Sequence, residues 1–342
     1  MVLESVMTGV IDVPALPAIR GMTIRRFRGE PDYAPMAALL NACAVVDQGD
    51  EVFTVEILAN EFAHMTHCDP YRDMVFVEID GEMIGYAYVA WRDEDSGTRL
   101  YLNRGCVHPD WRRRGLGRAL LRWDERRARA IAAGHAFDGP RLFGVWCADS
   151  AAGKAALLRS EGYTVVRRNY AMRRAALDDL PDALLPPGLE LRSVRPEHLR
   201  PIWDGMVEAF RDHWGSGPVT EADFERWLND PMHDTRMWRI AWDAATGQVA
   251  GVCINTIFPE ENARHNREEF WVEDLAVRRP WRKRGLGRAL LVESMRLLRD
   301  GFDMTSAGLG VDADNMSGAL RLYEGVGFRP VKSFSTYRKP MD

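Results

Sequence analysis

The chain is poor in cysteine: five among 342 residues, Cys43, Cys68, Cys106, Cys147 and Cys253. Their number is odd and no two stand as Cys-x-x-Cys, which argues against a disulfide framework and for a reducing cytoplasm. No stretch of 18 or more apolar residues occurs, so no transmembrane helix and no membrane partner are expected. The first twenty residues carry Glu4, Asp12, Pro14 and Pro17 but no basic segment leading into an apolar run, so no signal peptide is expected. Nor is there an excess of positive charge. A formal net charge of -5 gives no support to a general nucleic-acid binder and leaves the arginine clusters a local purpose. Two phosphate-binding signatures are also missing: no GKS or GKT follows a glycine loop, and GxGxxG is absent. The stretch "HMTHCD" has helical metal-ligand spacing at His64, His67 and Cys68, but no second cluster completes a set, so no metal is expected.

What the chain does have is a repeat. "WRRRGLGRALL" (111–121) returns as "WRKRGLGRALL" (281–291), with Arg113 against Lys283 as the one difference. The likeness spreads outward. "GMTIRRF" (21–27) parallels "GLELRSV" (188–194), and both alternate as an opening strand should. "MVFVEIDGEMIGYAYVAW" (74–91) parallels "WRIAWDAATGQVAGVCINT" (238–256), each a strand, tight turn and strand. "LFGVWCADSAAGKAALLRSEGY" (142–163) parallels "AGLGVDADNMSGALRLYEGVGF" (307–328). This is a duplicated domain, and the length suits two domains of ~150 residues. Residues 1–19 read as an arm, 20–176 and 188–342 as the domains, and the proline-interrupted 177–187 as the linker.

The repeated turn opens a helix whose apolar positions Leu286, Ala289, Leu290, Met295, Leu297 and Leu298 fall mostly at helical spacing. A helix N-terminus presents unpaired N–H groups and the positive end of the dipole. Gly285 and Gly287 let a phosphate approach the backbone, and Arg282, Lys283, Arg284 and Arg288 add charge around Leu286. The pattern predicts a pyrophosphate cradle. Arg112, Arg114, Gly115, Gly117 and Arg118 predict a second one after the strand ending at Val107.

At these residues the chain resembles the GNAT N-acetyltransferases, whose acyl-CoA motif is R-x-x-G-x-G after a strand. "DADNMSGALRLYEGVGF" is similar to the family's second signature, with Asn315 at the strand end, Tyr323 on the next helix and Gly327-Phe328 after it. The two-domain arrangement is similar to mycothiol synthase and other tandem members. The resemblance implies an α/β fold of two tandem GNAT domains, each a mixed, largely antiparallel sheet flanked by helices. It implies acetyl-CoA as co-substrate and a small-molecule amine as acceptor, in a monomer or homodimer. It also implies that the strand "FWVEDLAV" (270–277) splays and offers backbone N–H groups to the thioester carbonyl and the pantetheine. Leu275 is the candidate oxyanion donor, flanked by Ala276 and Val277, and Tyr323 the proton donor to the leaving thiolate.

Acetyl transfer needs a neutral amine, hence a base. Glu269, Glu273 and Asp274 are the acids near the splay; Glu273 is favoured, and proton removal through water stays open. The first half places Arg99, Asn103 and Arg104 there, Leu158 opposite Tyr323 and Ser150 opposite Asn315. Catalysis is therefore expected in the second half. "EAFRDHWGSGPVTEADFERWLNDP" (208–231) is similar to the helix–loop–helix that caps the family's acceptor site, with Phe210, His213 and Trp214 toward the substrate. Glu269 and Trp271 are expected beside them. Mycothiol synthase, whose acceptor is the amine of a cysteinyl-glycoside, is one alternative, although Trp271 stands where that pattern has Glu. A non-catalytic acyl-CoA-binding regulatory module is the other.

Overall fold

A computed structural model describes residues 11–314 and 318–341. Residues 1–10 of the arm, and Asn315 of the second signature, lie outside the described residues.

The first half runs β1 (Met22–Arg25), α1 (Tyr33–Val46), α2 (Val55–Ala63), α3 (Pro70–Asp73), β2 (Met74–Ile79), β3 (Glu82–Asp93), β4 (Arg99–Val107), α4 (Leu116–Ala133), β5 (Arg141–Ala148), α5 (Ala152–Ser160) and β6 (Thr164–Arg174). The second repeats the plan with β7 (Leu189–Leu191), α6 (Leu199–Phe210), α7 (Glu221–Leu228), β8 (Arg239–Asp243), β9 (Val249–Ile257), α8 (Pro259–His265), β10 (Glu269–Val277), α9 (Leu286–Phe302), β11 (Ser306–Asp312), α10 (Ala319–Gly325) and β12 (Arg329–Pro340). Asp80 and Gly81 both take positive φ in the β2–β3 turn, the geometry that matches strand twist in a two-residue hairpin.

Helices cover both faces of the sheet. In the first half α1 and α2 bury Met36, Leu39 and Phe62 against Phe76 on one side. On the other, α4 buries Leu116, Leu120 and Trp123 against Val75, Val77 and Ile84. With both faces covered, Met74 to Val77 are fully buried and alternation disappears from that strand. In α9, Leu290, Leu291 and Met295 are fully buried, and each contributes about 1.5–3 kcal/mol.

Two features of the sheet position the site. First, β4 and β5 pair in parallel only as far as Leu102↔Gly144, and β10 and β11 only as far as Val272↔Leu309. Each pair splays beyond that point, at equivalent places. Second, the described strands form one continuous twelve-stranded sheet, in the order β1-β2-β3-β4-β5-β12-β6-β11-β10-β9-β8-β7. The last strand of each half has crossed over. β12 pairs antiparallel with β5 from Phe334↔Ala148 to Pro340↔Leu142, and β6 pairs antiparallel with β11 from Ala307↔Arg174 to Asp312↔Asn169. The two exchanged strands pair with each other. The local pattern of the halves suggests two self-contained sheets. Exchange satisfies both ladder edges of each final strand and leaves no open edge at the centre.

Candidate active site

The two basic turns fold alike. After Val277 the chain makes a single turn over Arg279–Trp281. Lys283 takes φ 60°, Gly285 takes φ 85°, and α9 begins at Leu286. In the first half Arg113 takes φ 64°, Gly115 takes φ 91°, and α4 begins at Leu116. The left-handed glycine turns the first N–H groups of each helix into the cradle. A Cβ on Gly287 would only touch Leu322 at 3.4 Å and Val277 at 3.6 Å, so the position is open toward the cradle side.

The first arginine of each turn holds the loop. Arg282 donates from Nε to the Val277 carbonyl at 2.9 Å, and its other nitrogens reach the Ala209 carbonyl and Asp212 at the end of α6. Arg112 donates to the Val107 carbonyl at 3.1 Å and grips Asp47, just past α1, at 2.6 and 2.8 Å. Their guanidinium groups are engaged by protein acceptors and fix the cradle's shape. Arg284 donates to the Pro187 carbonyl and Arg114 to that of Asp110, while Arg118 pairs with Glu161. Among the described residues, no hydrogen bond or ion pair engages the side chain of Lys283 or Arg288.

Beyond the second cradle lies a cavity of about 860 Å³. Leu275, Tyr323, Glu273, Asp274 and Trp271 share its wall with Phe210, His213 and Trp214. From Glu273 to Val277 the β11-facing edge of β10 has no ladder partner, so its polar groups can serve a ligand. On the other edge the register with β9 jumps from Val272↔Asn255 to Asp274↔Ile254. Glu273 is thus the extra residue of a β-bulge, a device that re-aims side chains beside active sites. In the first half the ladder runs unbroken through Val89↔Asn103 and Tyr88↔Arg104.

Tyr323 is 7% exposed and packs edge-on against Phe328 at 6.2 Å. Burial, with Cys253 and Asp274 nearby, pushes its pKa up and keeps the hydroxyl protonated. Glu273 is exposed where it meets the cavity, and the hollow's walls stand on its other sides. Desolvation in that hollow, reinforced by Asp274, Asp230 and Glu261, pushes its carboxyl up to about 8. Asp274 is pushed up to about 6 by burial, and Glu261 to about 7 by burial and the charge of Glu51. His213 is driven toward its neutral form by burial and stacks edge-on with Phe210. Trp214 lies under the guanidinium of Arg338 at 4.2 Å.

Glu269 is the exception among the expected acceptor contacts. It is 5% exposed, pairs with Arg173 at 2.7 Å and Arg267 at 3.0 Å, and does not line the cavity. The bulge separates it from Glu273, and β6, arriving from the first half, supplies its counter-ion. The sequence reading also missed a wall of the cavity. Asp50, Glu51 and Phe53, between α1 and α2 of the first half, face the second half's site. Asp50 ties that loop down, with Arg173 at 2.7 Å and Lys332 at 2.8 Å. No local signal marks these residues, because strand exchange brings them there.

The Acetyltransferase (GNAT) family pattern matches residues 35–137 and 199–328. The mycothiol acetyltransferase of Salinispora tropica is 30% identical over 87% of this chain and 90% of its own length. Among solved structures, a GCN5-related N-acetyltransferase from Sphaerobacter thermophilus superposes with a TM-score of 0.68 at 25% identity, over 94% of this chain and 96% of that one. A tandem GNAT protein from the clavulanic acid biosynthesis pathway shares the fold, with a TM-score of 0.67 at 17% identity over 94% of this chain and 99% of its own. The matched segments take in both cradles and the Tyr323 helix, and the chain belongs to the GNAT acetyltransferase family, an acyltransferase built from two tandem GNAT units.

Proposed function

We propose that the chain transfers an acetyl group from acetyl-CoA directly to the amine of a small molecule, in a ternary complex in the second half. One observation carries this: the unpaired edge of β10, a protonated Tyr323 and two carboxyls of raised pKa meet on one cavity wall. The N–H groups at the start of α9 hold the pyrophosphate, with Lys283 and Arg288 as free cations and Arg282 shaping the loop. The backbone of Leu275 to Val277 takes the pantetheine, and the Leu275 N–H faces the developing oxyanion. Glu273, with a pKa near the working pH, takes a proton from the acceptor ammonium, which the surrounding acids attract. The amine attacks the carbonyl carbon, the C–S bond breaks, and Tyr323 gives its proton to the thiolate. The first cradle, at Val107, Arg112, Arg114, Gly115, Gly117 and Arg118, is a second pyrophosphate site without turnover, since Leu158 cannot donate a proton. A panel of amines incubated with acetyl-CoA, with products read by mass spectrometry, tests this. An N-acetylated product that disappears in Gly287→Glu and persists in a folded Gly117→Glu protein is expected. Binding of acetyl-CoA without acylation of any amine would leave a non-catalytic acyl-CoA-binding module.

The 30% identity to a mycothiol acetyltransferase along 87% of the chain favours one specific acceptor as a second reading. The amine precursor of mycothiol belongs in the panel. A kcat/KM for it at least 100-fold above that for simple amines would establish the assignment, and parity with them would remove it.

A further inference from the structure

The first half has a cavity of its own, about 630 Å³, reaching from the cradle at Gly115 and Gly117 through the splay of β4 and β5 to α4. Leu158 stands where the second half has Tyr323, and it lines this cavity together with a polar floor. Asn103 and Asp124 form that floor, each 4% exposed. Asn103 donates from Nδ2 to the Tyr163 hydroxyl at 2.8 Å, which fixes the amide and leaves its Oδ1 without a partner among the described residues. Asp124 Oδ1 lacks one too. Burial pushes the Asp124 carboxyl above the usual range against the pull of Lys154, which favours the protonated form that can donate. Buried polar atoms are nearly always paired, and two unpaired ones at the end of one cavity point to a ligand that pairs them. Among the described residues the second half has no such floor. Ser294, opposite Asp124, accepts from Asn255 at 3.0 Å, and Phe328 stands opposite Tyr163.

We propose that this cavity binds a CoA thioester whose acyl chain is longer than acetyl and carries a hydroxyl, held between Asn103 and Asp124. The inference rests on reading the first turn as a pyrophosphate cradle. A hydroxyl donates to Asn103 Oδ1 and accepts from the Asp124 carboxyl, satisfying both at once. An alkyl chain of the same length leaves both unpaired.

The test uses the full-length Gly287→Glu protein, in which the second cradle is blocked. Titration calorimetry compares 3-hydroxybutyryl-CoA, butyryl-CoA and acetyl-CoA. The hydroxyacyl ester should bind about 10-fold or more tightly than butyryl-CoA, the ratio expected when buried polar atoms gain partners. Asp124→Leu should bring the two within about threefold. Asp124→Asn, near in shape and still able to donate, should keep the preference, and thermal melting checks that each variant is folded. Equal binding of the hydroxyacyl and butyryl esters, or loss of the preference in folded Asp124→Asn, overturns the assignment of the floor. Failure of all three esters to bind overturns the reading of the cradle itself.

Discussion

Tyr323 and Glu273 are the two side chains to which the proposed proton transfers fall. Tyr323→Phe keeps the ring that packs on Phe328 and removes only the acidic proton. Its kcat should fall about 10- to 1,000-fold with the acetyl-CoA KM nearly unchanged, because losing a general acid is typically a large effect that water partly replaces. A wild-type rate would make Tyr323 a packing residue. Glu273 acts as base only when ionised, so log kcat/KM should rise with pH and level off near its pKa of about 8. Asp274 and Glu261 titrate beside it, and the limb belongs to the group of acids. Glu273→Gln should lower the rate and flatten that limb. Stability should move in the opposite sense. The folded-state pKa is raised from 4.5, so the contribution of this group is fully present below about 4.5 and is lost as pH rises through about 8. Glu273→Gln should therefore melt higher than wild type at pH 9 and close to it at pH 4.5. A melting difference that does not change with pH would show that Glu273 is not the strained acid.

At the level of elements, what could be read from the sequence was what is local. The basic turns, the helices they open and the β2–β3 hairpin each follow from a few adjacent residues. So does the contrast between Tyr323 and Leu158. The exchange of β6 and β12 was not legible, since both are charged strands of similar pattern and either could complete either sheet. The exchange also decides the surroundings of two carboxylates. Glu269 looked available as an acid at the head of β10, yet Arg173 of β6 neutralises it. Asp50, which no local pattern marks, binds Lys332 of β12. Exchange makes a direct prediction. Removing β12 by ending the chain at Phe328 takes the partner from β5 and should damage the first half, although every residue deleted belongs to the second. Loss of hydrogen-exchange protection in 141–148 is the expected result. Protection confined to normal values there would mean that β5 does not depend on β12.

At the scale of the whole molecule, charge joins the exchanged strands in tying the two halves together. Asp50 receives Arg173 and Lys332 and lies 3.7 Å from Arg267. Burial would raise its pKa, but the Lys332 hydrogen bond and these cations hold it below the usual carboxylate range. Asp50→Asn leaves the cations without their counter-charge. A stability loss on the order of 2 kcal/mol is expected, less than for a fully buried pair because the groups still meet water. The acceptor KM should rise while acetyl-CoA affinity holds, because the loop carrying Glu51 and Phe53 loses its anchor. An unchanged acceptor KM would separate that loop from the substrate. Strand exchange also sets a timetable on the ribosome. The ladder partner of β5 is the last strand to be made, about 180 residues later. At roughly 5–20 residues per second the first half waits about 10–40 s with an open edge before its sheet can close. During that interval the nascent chain offers a template for any other extended segment, so growth conditions that slow elongation should raise the aggregated fraction even though the finished protein has no such edge.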